Sequence, residues 1–133
     1  MEKTKEKELV KVQDQKSWEE SFEKENWIAP LVDIVETDEN FVLIAYMPGV
    51  SKQNAQVKLE DNDLVLMGRL DRYDELKGAR YIVKEYEFGN YYRKFNLSDS
   101  IDESKIEAEM ENGVLTVVLP KHERIKPKTI EIK

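Results

Sequence analysis

The one histidine, His122, stands among Lys121, Glu123 and Arg124 at the start of a polar stretch. An imidazole works as a base or ligand when a packed scaffold orients one of its nitrogens, and nothing apolar beside His122 supplies one, so it reads as solvated. Asp61-Asn62-Asp63 opens like a calcium loop. Leu64 then breaks the required alternation and neither the glycine nor the closing glutamate follows, so the triplet reads as a turn. Serines occur without a nucleophile elbow, and the five glycines form neither a phosphate loop nor a dinucleotide fingerprint. Carboxylates are plentiful but fall at outward strand positions or in turns, which orients no catalytic pair. Cysteine is absent, excluding disulfides, thiolate zinc and a thiol nucleophile. The expectation is a protein that is no enzyme and needs no cofactor or metal.

What the residues do offer is recognition. Ile130 and Ile132 point the same way across Glu131 at the end of the chain, and nothing near them in sequence can bury them. Between Lys121 and Thr129 the chain is mostly charged and is interrupted by Pro127, which suits a tether. An extended apolar pair on a tether can add itself to an exposed sheet edge, with main-chain hydrogen bonds along the edge and alternate side chains in a groove. The alternative is a last strand folding back on its own domain, and the tail alone leaves both open.

Composition narrows the partners. A chain of 133 residues is expected to form one domain with a real core. Its net charge of -7 repels phosphate backbones and anionic lipid, arguing against nucleic-acid and membrane-surface partners. No stretch has the length of a signal peptide core or a membrane span, and the expected location is cytoplasmic.

The elements that must position any recognition surface fall into three parts. Residues 1–29 form an arm. Its first eight residues are nearly all polar and are expected to be disordered, and Ser17 with Glu20 makes a capping box for a short helix carrying Trp18 and Phe22 on one face. Trp18, Phe22, Trp27 and Ile28 could pack on the domain or at an interface, or could meet other proteins.

From residue 30 to 120 the period is two. Strands are expected over Leu31 to Val35, over Phe41 to Met47 with apolar residues on both faces, and over Gln56 to Glu60 paired with Leu64 to Met67 as a hairpin with one wet face. Further strands cover Tyr91 to Leu97, Ile106 to Glu111 and Val114 to Leu119, the last two joined by a tight Asn112-Gly113 turn. With no convincing helix after residue 29, this is an all-β antiparallel sandwich of the immunoglobulin-like kind. Residues 71–90 interrupt the rhythm with a long loop, in which Tyr81 to Tyr86 has strand character. That strand could pair with its own domain, or reach a neighbour's sheet edge and make an isologous dimer. Residues 121–133 form an extended C-terminal tail.

Ala108-Glu109-Met110-Glu111-Asn112-Gly113-Val114-Leu115, running on to Pro120-Lys121, resembles the AxxxNGVLxxxxPK signature closing the α-crystallin domain of small heat-shock proteins. Pro30 to Thr37 resembles that family's opening strand, Met47-Pro48-Gly49-Val50 its PG turn, and Glu87 to Leu97 its GxFxRxFxLP element, with Tyr91 for the usual Phe and Ser98 for the proline. The likeness spans residues 30 to 132 and is greatest to the bacterial and plant branch. The resemblance implies an ATP-independent holdase that binds unfolding proteins and keeps them from aggregating. It implies that Ile130 and Ile132 dock on a neighbouring dimer, in a groove lined by Ala55, Val57, Leu59, Ile106, Ala108 and Met110. Burying two isoleucines is worth about 3 to 6 kcal/mol before ordering costs, enough for reversible association. It implies further that Arg80, Tyr81, Ile82, Val83, Lys84, Glu85 and Tyr86 form the strand exchanged in a homodimer, with Arg93 at the dimer interface. Trp18, Phe22, Trp27 and Ile28 would then be client contacts. The short charged arm departs from the family pattern and bears on how large an oligomer can form. The alternative is a co-chaperone adaptor of the CS-domain type on a similar sandwich, which the hairpin, loop and tail together disfavour.

Overall fold

The computed structural model describes residues 18–133. The expectations for residues 1–8 and for the Ser17 half of the capping box lie outside that range. A helix, α1, covers residues 18–24, and the Trp18 and Phe22 spacing puts both rings on one side of it.

Eight strands follow among the described residues: β1 (Trp27–Ile28), β2 (Leu31–Glu36), β3 (Asn40–Tyr46), β4 (Ala55–Glu60), β5 (Asp63–Gly68), β6 (Asn90–Asn96), β7 (Glu107–Glu111) and β8 (Val114–Pro120). They make two four-stranded sheets, one ordered β1-β6-β5-β4 and the other β2-β3-β8-β7. Every pairing is antiparallel except that of β1 with β6, which is parallel. The antiparallel sandwich expected from the sequence is present, with one two-residue parallel pairing, at Trp27–Ile28, added ahead of residue 30. The chain leaves α1, touches the edge of β6 for two residues, and departs at Pro30, which has no N–H to continue the ladder.

The core lies between the sheets. Alternation on β3 and β8 sends Leu43, Ala45, Leu115, Val117 and Leu119 inward, where they meet Leu64 and Leu66 of β5 and Tyr91 of β6. Three turns set the registers. Met47 accepts from Val50 N–H across Pro48-Gly49, with Gly49 at φ 91°, a type II turn. Asp61-Asn62 and Asn112-Gly113 all take positive φ, as two-residue type I′ hairpins require. A Cβ on Gly113 would stand 3.2 Å from both the Met47 carbonyl oxygen and Pro48 Cα, so this turn also packs against the first one.

Two expectations are corrected. The β4–β5 hairpin was expected to keep one face wet, but Val65 and Met67 on that outer face are buried, because α1 lies over them. A helix, α2 (Tyr73–Gly78), also occupies the start of the long loop, where no helix was expected. Asp74 and Glu75 in its first turn and Lys77 in its last complement the helix dipole, while buried Tyr73 anchors it. Its single turn and a half is too short to leave a periodic signal.

Candidate functional site

The arm is docked on the sandwich by a polar network in which Ser21 and Asn90 are buried and Arg69 is partly exposed. The Glu25 carboxylate accepts from Arg69 Nε at 2.9 Å, from Arg69 Nη2 at 2.6 Å and from Asn90 Nδ2 at 2.7 Å, as well as from the Ser21 hydroxyl. Asn90 is fully buried and its Oδ1 accepts from the Leu70 N–H at 2.8 Å. Burial works against the charge on Glu25, but the hydrogen bonds from Arg69, Ser21 and Asn90 outweigh it and hold the carboxyl below its ordinary value. The Glu25 hydrogen bond and charge hold the Arg69 guanidinium above its own, against burial. The Tyr73 hydroxyl accepts from Asn26 N–H at 2.7 Å, and Trp27 Nε1 donates to the Ser21 carbonyl at 2.8 Å. No spacing rule links positions 21, 25, 69 and 90, and sequence reasoning missed the network; a polar Asn90 at the buried head of a strand was its only local trace.

This docking gathers three of the four expected arm contacts. Phe22 lies 5.3 Å from Trp27 and 5.2 Å from Tyr92 between ring centroids, and Trp18 lies 5.9 Å from Trp27. Tilted rings at these distances attract beyond the area they bury. Together with Met67 and Val65, the rings of Trp18, Phe22 and Tyr92 wall a cleft of about 430 Å³ on the outer side of the β1-β6-β5-β4 sheet. Phe22 remains 48% exposed. Ile28 does not join them: neighbouring strand residues face opposite ways, and it packs inward against the core.

The tail does not fold back as a last strand. After Lys121, whose backbone forms a bridge with Ile101, the chain makes a turn of 3-10 helix at Glu123–Ile125 and continues without a strand. Ile130 is 82% exposed and Ile132 is 93% exposed. The root of the tail is fixed: Lys121 is buried, its Nζ is 2.8 Å from Glu36 Oε2, and it lies 5.1 Å from the centroid of the Phe41 ring.

The expected acceptor residues sit on the two edge strands β4 and β7, except Ile106, which immediately precedes β7. Ala55, Val57, Ile106 and Met110 are half-buried against the core, whereas Leu59 and Ala108 are exposed. In the loop, Arg80 to Tyr86 forms no strand within the chain, and Ile82 is 94% exposed with Val83 and Tyr86 also exposed. Arg93 donates from Nη1 to the Pro30 carbonyl at 3.3 Å and stacks 4.9 Å from the Phe95 ring, with no ion pair among the described residues.

The residues weighed for chemistry are used structurally. Asp63 accepts from Asn96 Nδ2 at 2.8 Å and pairs with Lys94 at 3.6 Å, so its oxygens serve the β5–β6 pairing. His122 is half-buried and its backbone N–H donates to the Ser100 carbonyl at 2.8 Å. Among the described residues no group of three or more His, Cys, Asp or Glu is placed to hold a metal ion, and no helix is long and apolar enough to cross a membrane.

Comparison with known proteins gives one consistent picture. The model of the Hsp20/alpha crystallin family matches residues 33–133. A probable 15 kDa heat shock protein of Leptospira interrogans is 38% identical over 117 residues, 88% of this chain and 88% of that one. The 16.9 kDa class I heat shock protein 3 of rice, Oryza sativa, is 40% identical over 104 residues, 76% of this chain and 70% of that one. The solved structure of a small heat-shock protein from Xylella fastidiosa, described as having a distinct high order structure, superposes with a TM-score of 0.63. It is 29% identical and the match covers 80% of this chain and 97% of that one.

Proposed function

This chain belongs to the Hsp20/alpha crystallin family of small heat shock proteins, and from that premise we propose that it is an ATP-independent holdase for unfolding proteins. Proteins of this family are chaperones that use no ATP, and they are not enzymes. One observation carries the finer reading. Among the described residues the most exposed large apolar side chains, Ile82, Ile130 and Ile132, lie outside the sheets, on segments hung from a charged sandwich. Such segments can trade partners without unfolding the domain, which is what reversible capture of apolar surface needs.

In this reading the aromatic wall of Trp18, Phe22 and Trp27 meets clients. The tail isoleucines seat on another dimer, in the groove beside Val57 and Ile106. The loop residues Arg80 to Tyr86 pair with β2 of a partner subunit. One feature favours β2: it is an edge strand of six residues with Leu31, Ile34 and Val35 exposed. Arg93, held at the start of β2 through Pro30, would then lie beside the exchanged strand. The working compartment is the cytoplasm, and the partners are non-native proteins and further copies of the chain.

The test is light scattering of a heat-labile protein warmed with this chain in the absence of ATP. Stoichiometric amounts are expected to suppress the rise in scattering. No suppression at that ratio overturns the holdase reading.

A further inference from the structure

The cleft beneath α1 carries more negative than positive charge. Glu19 and Glu23 of α1 and Glu60 of β4 face it, against a single cation, Lys58. Lys58 is already engaged with Glu60 at 3.2 Å. Glu19 and Glu23 make no ion pair among the described residues, whereas Glu20, on the solvated side of the same helix, lies 3.9 Å from Lys24. Carboxylates at i and i+4 repel each other and weaken a helix. This pair is therefore a cost to α1, and a cation placed between the two removes it.

The apolar wall beside them has matching chemistry. Trp18, Phe22 and Tyr92 line the cleft, and aromatic rings attract ammonium and guanidinium groups as well as apolar side chains. A volume of about 430 Å³ admits a few side chains at a time. The net charge of -7 adds a long-range field of the same sign.

We propose that this cleft selects client segments in which apolar residues are flanked by lysine or arginine. The proposal rests on the holdase reading and names the client class for it. Aromatic faces bind the apolar residues, and Glu19 and Glu23 pair with the flanking cations. A segment flanked by Asp or Glu finds the same apolar wall but meets like charge at the rim.

Both tryptophans of the chain line or border the cleft, so intrinsic fluorescence reports on it. Two Trp-free peptides with the same apolar centre, one flanked by lysines and the other by glutamates, are titrated into the full chain. The lysine-flanked peptide is expected to bind about 5- to 10-fold more tightly at low salt, as two exposed ion pairs allow, with the gap closing as salt is raised. The double variant Glu19→Gln/Glu23→Gln keeps side-chain shape and is expected to narrow the gap to about 2-fold, while Glu20→Gln leaves it unchanged. Equal binding of the two peptides by a chain that still suppresses aggregation overturns this proposal alone, and a preference undiminished in the double variant overturns it too. A chain that suppresses no aggregation removes the holdase reading and this proposal together.

Discussion

Replacing Arg69 by Met keeps the apolar stem and removes the guanidinium that grips Glu25 with two hydrogen bonds, at 2.9 and 2.6 Å. The Glu25 side chain is only 13% exposed, so the carboxylate left behind keeps Asn90 and Ser21 as donors but has little access to replacement water. A hydrogen bond to a charged group contributes about 1.5 to 3 kcal/mol, and partial exposure of Arg69 argues for the lower part of that range, about 2 kcal/mol, or roughly 30-fold in the docking equilibrium. The loss is expected to fall on undocking of α1 and β1 before it falls on the sandwich, because Leu43, Leu64 and Val117 pack independently of the arm. Amide exchange at Leu70 and Asn90, whose N–H groups bond to the network and to Asn26, reads that local opening. Tryptophan fluorescence at fixed protein concentration reads it independently. Linkage adds a sign. The Glu25 carboxyl is held low in the docked state, so its contribution is fully present above the ordinary carboxylate value and is lost as pH falls through the depressed one. Docking of the native chain should therefore weaken with acid below about pH 4.5, and Glu25→Gln should remove most of that dependence. A change under about 0.5 kcal/mol in Arg69→Met, or additive effects of Arg69→Met and Glu25→Gln in a double-mutant cycle, refutes the claim that this pair latches the arm.

Three other outcomes follow from the same structure. Replacing Ile130 and Ile132 together by Ala is expected to leave a dimer and remove larger species, since about 1.5 to 3 kcal/mol of burial per side chain is mostly lost; an unchanged mass by native mass spectrometry counts against the hook. Deleting Asp74 to Glu87 is expected to give a folded monomer, because the segment contributes no strand to either sheet and the rings flanking it, Tyr73 and Phe88, pack together 5.5 Å apart between centroids; a dimer of the deleted chain refutes strand exchange. Gly113→Ala is expected to destabilise the domain by about 1 to 3 kcal/mol, with φ at 77° and two close backbone neighbours to displace, and a denaturation midpoint equal to that of the native chain contradicts this.

The strands were legible because their information is local. Phe41 to Met47 alternates with apolar residues on both faces, and β3 is an interior strand; Asn112-Gly113 is a turn dipeptide, and it turns. The tail was half legible. Its amphipathic pair was plain in the sequence, whereas the absence of any seat for it on its own sheets was not. The residues expected to accept it were readable as alternate positions of two strands, though Leu59 and Ala108 are exposed, and that β4 and β7 are edges depends on strand order, which periodicity does not encode.

By itself the sequence determined which residues alternate, where the chain must turn, and that the family signatures stand in register from residue 30 onward. Each follows from neighbours a few positions apart, where backbone geometry and side-chain period act directly. Tertiary structure alone decided that Glu25, Arg69 and Asn90 meet, that Val65 and Met67 are covered rather than wet, and that Trp18 and Phe22 face the sandwich while Ile28 enters its core. Those outcomes depend on which surfaces remain unburied once both sheets have formed. They are set by packing between segments tens of residues apart, and no local pattern carries that choice.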